Sequence, residues 1–505
     1  MAACLLPLLA ATALAAPPTD RPAIFDRVEE YRLDNGMLFL LLPRHDVPMV
    51  DGAIVVGVGN VDNPEGASGL AHMFEHMAFK GTDRIGTRDA AAEAAIADTL
   101  LRVGDELTAE LRLGAAADSS RIARLREEIV TLEDRADAYV VPMEWPQTYD
   151  RFTYFFNAYT NQDFTVYTAQ LPANNLEVWM LMDSERLQHP VFREFYAELE
   201  VVKEERRQRA EDSPEGMAQE LLKSLAFVEH PYSAPTIGHM ADLEGLAPGM
   251  LRDFWRAYYA PSNMVAALVG DFEPAEAKRM IDDYFGDIPA GPSPPGIDVV
   301  EPPQAELRRG LHSQGEERRL LMAFPGFGPE DPRRPATELL ASVLARDRTS
   351  RLVRRLDLDE GAARRVQASA TGGFSRYAGL FTITADLLEG VSNERAEEMV
   401  WEELDRLRTD PPTQAKLDEI RASYRKGFVF QLQKNADLAE MLATHQASHG
   451  DWRQAYERFA AYERVTVDDL VALAGDLFRR ACATIVYLEP EAADDDAPRA
   501  EGGRP

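Results

Sequence analysis

A stretch that can be neither helix nor strand divides this chain near its middle. Asp287-Ile288-Pro289-Ala290-Gly291-Pro292-Ser293-Pro294-Pro295-Gly296, running on to Pro302-Pro303, is dense in Pro and Gly. Each Pro fixes φ and removes a backbone donor, so no regular element can cross it. The same order of elements is read on both sides. A helix ending near Tyr259 leads into a strand, Met264 to Gly270, and then Glu273-Pro274. A helix around Asp469 to Arg480 leads into a strand, Ala483 to Leu488, and then Glu489-Pro490. The pairs Asp253/Asp469 and Glu273/Glu489 share one offset, which suggests an internal repeat. Helix–strand units are common, so the repeat is weak evidence by itself. The first half opens with strands at Met37 to Leu42 and Val50 to Gly57, and long charged helices follow. That order gives an α+β class rather than alternating βαβ units. With 505 residues and 45% hydrophobic content, the chain can bury two sizeable cores.

The chemistry is concentrated in His72-Met73-Phe74-Glu75-His76. On a helix, positions i, i+3 and i+4 share one face, so both imidazoles and the carboxylate project into the same space. Neutral imidazole nitrogens suit zinc, and a neighbouring Glu that does not ligate can take a proton from activated water. The order H-x-x-E-H is the inverzincin pattern. Apolar Leu70, Met73, Phe74, Met77 and Phe79 give the same helix a face to bury.

Two His leave a metal short of ligands, so a third must come from elsewhere. Glu198-Leu199-Glu200-Val201-Val202-Lys203-Glu204-Glu205 reads as a charged helix with Glu198, Val201, Val202 and Glu205 along one stripe. Glu205 is the candidate ligand, and Glu198, two turns earlier, is the candidate that orients a His. Spacing alone leaves an ordinary solvated helix as the alternative.

These residues sit in longer runs. Gly69-Leu70-Ala71-His72-Met73-Phe74-Glu75-His76-Met77-Ala78-Phe79-Lys80-Gly81-Thr82 resembles the zinc helix of the pitrilysin/insulinase family of metallopeptidases, which includes the mitochondrial processing peptidase. Phe156-Asn157-Ala158-Tyr159-Thr160 with Asp163 and Thr165-Val166-Tyr167 resembles its substrate-binding edge strand. The segment from Glu198 to Glu205, His230-Pro231-Tyr232 and Tyr258-Tyr259-Ala260-Pro261-Ser262-Asn263-Met264 match later landmarks in the same order. The similarity runs from about residue 28 to residue 490.

The resemblance implies two homologous α/β-sandwich halves, each a mixed sheet with helices packed on it, facing each other across a chamber. It implies Zn2+ held by His72, His76 and Glu205, Glu75 as the catalytic base, Glu198 behind a ligand, and Asn157 and Ala158 pairing with an extended peptide. The expected activity is that of a zinc-dependent metalloendopeptidase acting on peptides or unfolded chains. Active single-chain members also carry an Arg and a Tyr, seven residues apart, in the second half. Aligning Ser350-Arg351-Leu352 puts Asp357 and Arg364 there, and neither replaces the pair. Arg376-Tyr377 lies nearby, but adjacent residues on a strand would diverge. A homologous second subunit, as a heterodimer or homodimer, is therefore expected to supply this function. The rival reading is a non-catalytic peptide-binding subunit.

Residues 1–20 read as a signal peptide, with an apolar run over 5–16 and a small-residue site near Ala13-x-Ala15. That places the chain in the periplasm or outside the cell; a short membrane anchor is the alternative. The remaining expected boundaries are a zinc-binding domain over 21–287, a linker over 288–305, a metal-free domain over 306–490 and a disordered acidic tail over 491–505. Arg88 to Ala138, rich in Ala, Leu, Glu and Arg and broken by Gly114-Ala115-Ala116-Ala117, reads as a helical hairpin inserted at about 88–145. Phe155-Phe156 precede the Asn-Ala pair where the family often has glycines, which would narrow the site or favour apolar side chains. The net charge of −31 argues against phosphate-backbone binding. No second apolar run reaches a membrane-spanning length.

Overall fold

The computed structural model describes residues 22–371 and 375–491. The signal-peptide reading and nearly all of the acidic tail lie outside the described residues. Two mixed sheets form the framework. The first contains β1 Glu29–Arg32, β2 Leu38–Pro43, β3 Met49–Val56, β4 Phe155–Thr160, β5 Thr165–Pro172 and β6 Met264–Gly270, in the order β1-β2-β6-β3-β5-β4. The second contains β7 Arg308–Gly315, β8 Arg319–Pro325, β9 Ala363–Ala370, β10 Leu380–Leu387 and β11 Thr484–Pro490, in the order β7-β11-β8-β10-β9. In each, the last strand of the half inserts between two earlier ones. β6 runs parallel to β2 and antiparallel to β3. β11 likewise runs parallel to β7 and antiparallel to β8. The repeat suggested by the shared offset is thus a repeat of topology.

Why β2 reads as an unbroken apolar run follows from its surroundings. Phe39 and Leu41 face the first half's own helices, beside Phe74, Trp179 and Phe285. Leu38, Leu40 and Leu42 face the other way, onto Phe428, Leu438, Leu442 and Trp452 of the second half. A strand covered on both faces has no polar side to alternate with. The second sheet shows the reciprocal arrangement. Leu320, Met322 and Phe324 face the second half's helices, while Leu321 and Ala323 meet Ala218, Leu222 and Ala226.

Each half therefore lends a helix to the other. The Pro214–Ala226 helix lies on the second sheet, and the Asn435–His449 helix lies on β3 and β6 of the first. Where the halves meet through these helices they are packed, not hollow. Residues 289–305 cross between them without helix or strand. An antiparallel pair of helices, Ala90–Leu111 and Ser119–Asp137, has its own small core of Ile96, Val103, Leu107, Leu125, Ile129 and Leu132. Among the described residues, no helix is long and apolar enough to cross a membrane.

Candidate metal centre

The Leu70–Met77 helix starts on Gly69 at φ +88°, a left-handed turn where a Cβ would lie 2.5 Å from the Ile237 carbonyl. From this start Met73, Phe74 and Met77 enter the core, and His72, Glu75 and His76 occupy the face toward the Phe195–Arg206 helix and β4. On the former helix Val202 is buried and Val201 is half exposed. The inward stripe is thus Glu198, Val202 and Glu205, at i, i+4 and i+7. The expectation that Val201 shares it fails because residue i+3 falls on the solvent side here.

The structure brings His72, His76 and Glu205 together, with one ligand atom from each within 4.8 Å of the others. Glu205 Oε2 lies 3.8 Å from His72 Nε2 and 3.4 Å from His76 Nε2. Tetrahedral zinc with arms of about 2.1 Å needs donor atoms about 3.4 Å apart, and the two spacings from Glu205 lie close to that value. The electrostatics differ sharply between the two imidazoles. Burial, with His76 next to it, pushes His72 down to about 4. Burial also disfavours the charged form of His76, but hydrogen bonds to Glu198 and Glu205 and the charge of Glu75 outweigh it, raising it to about 9.

Glu198 lies behind His76, its Oε1 2.8 Å from Nδ1. Its own burial opposes ionisation, yet His76 and Lys80 hold it down at about 2. Lys80 Nζ is 2.7 Å from Glu198 Oε2 and 3.3 Å from Glu194 Oε2. Arg209 Nη1, 2.7 Å from Glu205 Oε1, fixes the far oxygen of that carboxylate. Sequence reasoning missed both cations: Arg209 stands four residues after Glu205 at a spacing that pairs helical side chains, whereas Lys80 lies beyond the end of its helix and reaches Glu198 only through the tertiary fold. His72 differs from His76, since its Nδ1 is buried with no hydrogen-bond partner among the described residues.

Glu75 is buried, which raises its carboxyl; the charge of His76 and hydrogen bonds from the side chain and backbone of Thr160 pull it partly back. Thr160 ends β4, a strand that among the described residues pairs only with β5. Asn157 and Ala158 lie on that open edge, Asn157 exposed and Ala158 turned into the core. Phe156 also turns inward, its ring 5.1 Å from Tyr149 and 6.1 Å from Trp145, while Phe155 stands on the opposite face, half exposed.

In the second half, Asp357 lies in a helical turn at Arg354–Asp359 and Arg364 pairs with Glu317. Arg376-Tyr377 is not on a strand and does not diverge. It sits in a bend between β9 and β10, and both side chains enter one cluster between the halves. Arg376 Nη2 is 2.6 Å from Asp62 and Nε is 3.6 Å from Asp163. The Tyr377 ring lies 4.9 Å from His230 and 5.9 Å from Tyr232. Two buried carboxylates, far apart in sequence, decide the guanidinium's orientation.

Comparison with known proteins bears on the family and the fold. The family described as "Insulinase (Peptidase family M16)" matches residues 40–106 and 147–239, and "Peptidase M16 inactive domain" matches 246–424. The unmatched interval 107–146 takes in the end of the first paired helix and the whole of the second. "Zinc protease PqqE" of Helicobacter pylori is 24% identical over 92% of this chain and 93% of its own length. "Probable zinc protease PqqL" of Escherichia coli is 26% identical over 62% of this chain and 29% of its own. Among solved structures, a protease from Helicobacter pylori aligns with a TM-score of 0.77 and 22% identity over 92% of this chain and 99% of that one. The periplasmic protease PqqL from Escherichia coli aligns at 0.67 and 18% identity, over 94% of this chain but 48% of that one. The sequence motifs, the two-sheet architecture and both family matches agree: this chain belongs to the pitrilysin/insulinase family, peptidase family M16.

Proposed function

We propose that the chain is a zinc-dependent endopeptidase, with His72 Nε2, His76 Nε2 and Glu205 Oε2 holding the ion. When bound, zinc supplies the Lewis acidity that makes water a competent nucleophile near neutral pH. The protein's residues do the rest. Glu198 accepts the Nδ1 proton of His76, which leaves Nε2 as the donor atom. Glu75 takes a proton from the attacking water and returns it to the leaving amine. Thr160 holds Glu75 beside the end of β4. A peptide added in extended form along β4, paired with the backbone of Asn157 and Ala158, would pass that carboxylate, whereas a folded protein has no free strand to offer.

The observation that carries this reading is the convergence of three donor atoms from two distant helices beside a buried carboxyl. Glu75→Gln should keep zinc, bound peptide and fold, and lose about 10²–10⁴-fold in hydrolysis. Cleavage at the unmutated rate, or cleavage that survives a chelator, would end the zinc-peptidase reading in favour of a peptide-binding subunit.

We assign the missing carbonyl-binding Arg and Tyr to a second subunit of the same fold, which also closes the chamber over the edge strand. Arg364 and Arg376 are committed to carboxylates of this chain. PqqL, of which this chain matches about half, joins roughly twice as much in one polypeptide. The periplasmic setting stated for PqqL supports the same compartment here. Full activity in a strictly monomeric preparation would refute the two-subunit reading.

A further inference from the structure

The inserted helix pair meets the glutamate-bearing helix along a seam that is not closed. Tyr196 packs against both the pair's own core and that of the first half, and a cavity of ≈ 110 Å³ remains beside it. Leu100, Phe192, Phe195 and Pro248 form its apolar walls, and Ala97, at an exposed helix position, also lines it. Glu133, Asp137 and Glu194 also line it. Lys80 serves Glu194, but no basic side chain pairs with Glu133 or Asp137 among the described residues. Burial raises the Glu133 carboxyl, although it accepts a hydrogen bond from the Tyr196 backbone N–H, and Asp137, exposed at the rim, is raised by partial burial and the charges of Glu194 and Asp134. The Tyr196 hydroxyl, on the same wall, is shielded from solvent without a hydrogen-bond partner among the described residues. The one guanidinium present, Arg193, is spent on Glu93 and on the carbonyls of Lys80, Thr82 and Ile85.

We propose that this cavity is a ligand site for a small organic cation, a primary ammonium or amidinium on a short apolar body. The size sets the body. A cavity of this volume is well below the ~300 Å³ of drug-sized pockets and slightly below the ~150 Å³ that admits benzene. It therefore takes roughly four to six carbon atoms. The charge sets the head: a partly buried Glu133 and an exposed Asp137 at the rim, neither with a basic partner among the described residues, and an unused hydroxyl border an apolar slot, which favours a cation that brings its own hydrophobic surface. The site is separate from the metal centre but connected to it. Glu194 takes the left-handed backbone at φ +56° and starts the helix that carries Glu198 and Glu205. It also shares Lys80 with Glu198, the partner of His76. A cation drawn to Glu194 competes with Lys80 and so alters how Glu198 holds His76. This link, unlike the site itself, rests on the zinc reading above.

The test uses the full chain, stripped of metal with a chelator so that an amine cannot report by ligating zinc. Cyclohexylamine and n-butylamine should produce saturable shifts in the NMR signals of residues around Phe195 and Tyr196, with a dissociation constant on the order of 1 mM. Cyclohexanol, the neutral counterpart, should bind at least about tenfold more weakly. Ala97→Phe adds a ring to the lining from an exposed helix position and should abolish the shifts. The double variant Glu133→Gln, Asp137→Asn should weaken amine binding about tenfold while leaving cyclohexanol unchanged. Equal binding of amine and alcohol, or full binding by Ala97→Phe, would overturn the site. In the zinc-loaded protein the amine should speed zinc loss to a competing chelator severalfold. Zinc loss at the same rate with and without amine would overturn the link to His76, independently of the cavity.

Discussion

The two halves share a strand order but not a purpose. In each, a helix follows the central strand: Leu70–Met77 after β3 and Arg334–Ala345 after β8. The first carries His72, Glu75 and His76. The second carries no His, and its buried Glu338 is held by Arg458 and the Tyr462 hydroxyl. A buried carboxylate with dedicated partners is a structural fixture, whereas a buried carboxylate aimed at an open strand edge is available for chemistry. What separates the halves is that one acid stands beside an open strand edge while the other is enclosed by Arg458 and Tyr462.

The largest expected effect follows from that contrast. Glu75→Gln should cut hydrolysis about 10²–10⁴-fold with little change in thermal stability, while Glu338→Gln should leave zinc bound and cost about 3–5 kcal/mol of stability by removing the buried charge that faces Arg458. Activity assays and melting curves on both variants decide it. If Glu338→Gln melts like the parent, the second helix is not the fixture described. Next in size is the exchange of helices. Leu442 and Leu222 are buried on the opposite half's sheet, and truncation of either to Ala should cost about 2–5 kcal/mol. Because each helix packs across the boundary, both variants should unfold in one transition. Two separated transitions in denaturant would show that the halves are independent units after all.

Much of this was legible from sequence because it is local. The two imidazoles and the carboxylate of 72–76 share a helical face by spacing alone, and β2 and β3 announce themselves as apolar runs. Glu205 was not readable in that way, since its spacing fits any charged helix, and only the resemblance singled it out. The misplaced Val201 shows that a stripe read from sequence is wider than the face that packing selects. Arg376 shows the complementary failure, because Asp62 and Asp163 lie more than two hundred residues upstream and reach it only through the tertiary fold. The exchanged helices are hidden for the same reason, since an amphipathic face states that it will be buried but not by which sheet.

A smaller effect sharpens the asymmetry between the two imidazoles. His76 is backed by Glu198, whereas His72 Nδ1 has no partner among the described residues. Glu198→Gln should weaken zinc binding about 10–100-fold, the usual range for an outer hydrogen-bond partner of a metal-binding His. Lys80→Met should fall in the lower part of that range, since it acts on His76 only through Glu198. Competition with a fluorescent chelator gives both numbers, and unchanged affinity in Glu198→Gln would remove its assigned role.

The smallest effect tests the boundary between the halves from its buried face. Asp51, on the central strand β3, lies beneath the exchanged helix, and burial raises its carboxyl to about 6 despite a hydrogen bond from Asn435; Asp437 adds to the shift. A carboxyl whose folded pKa exceeds its unfolded value binds its proton more tightly when folded. Its contribution to stability is therefore greatest below about pH 4 and declines as pH rises to about 6. Above that, a charged Asp51 opposes the docking of the Asn435–His449 helix. Asp51→Asn keeps the shape and the Asn435 contact without the charge. It should raise stability by about 1 kcal/mol at pH 7.5 and by nothing measurable at pH 4. Melting curves at the two pH values separate this from a simple packing gain, which would appear equally at both. A gain at pH 4 matching that at pH 7.5 would mean that the charge beneath the helix does not strain the contact between the halves.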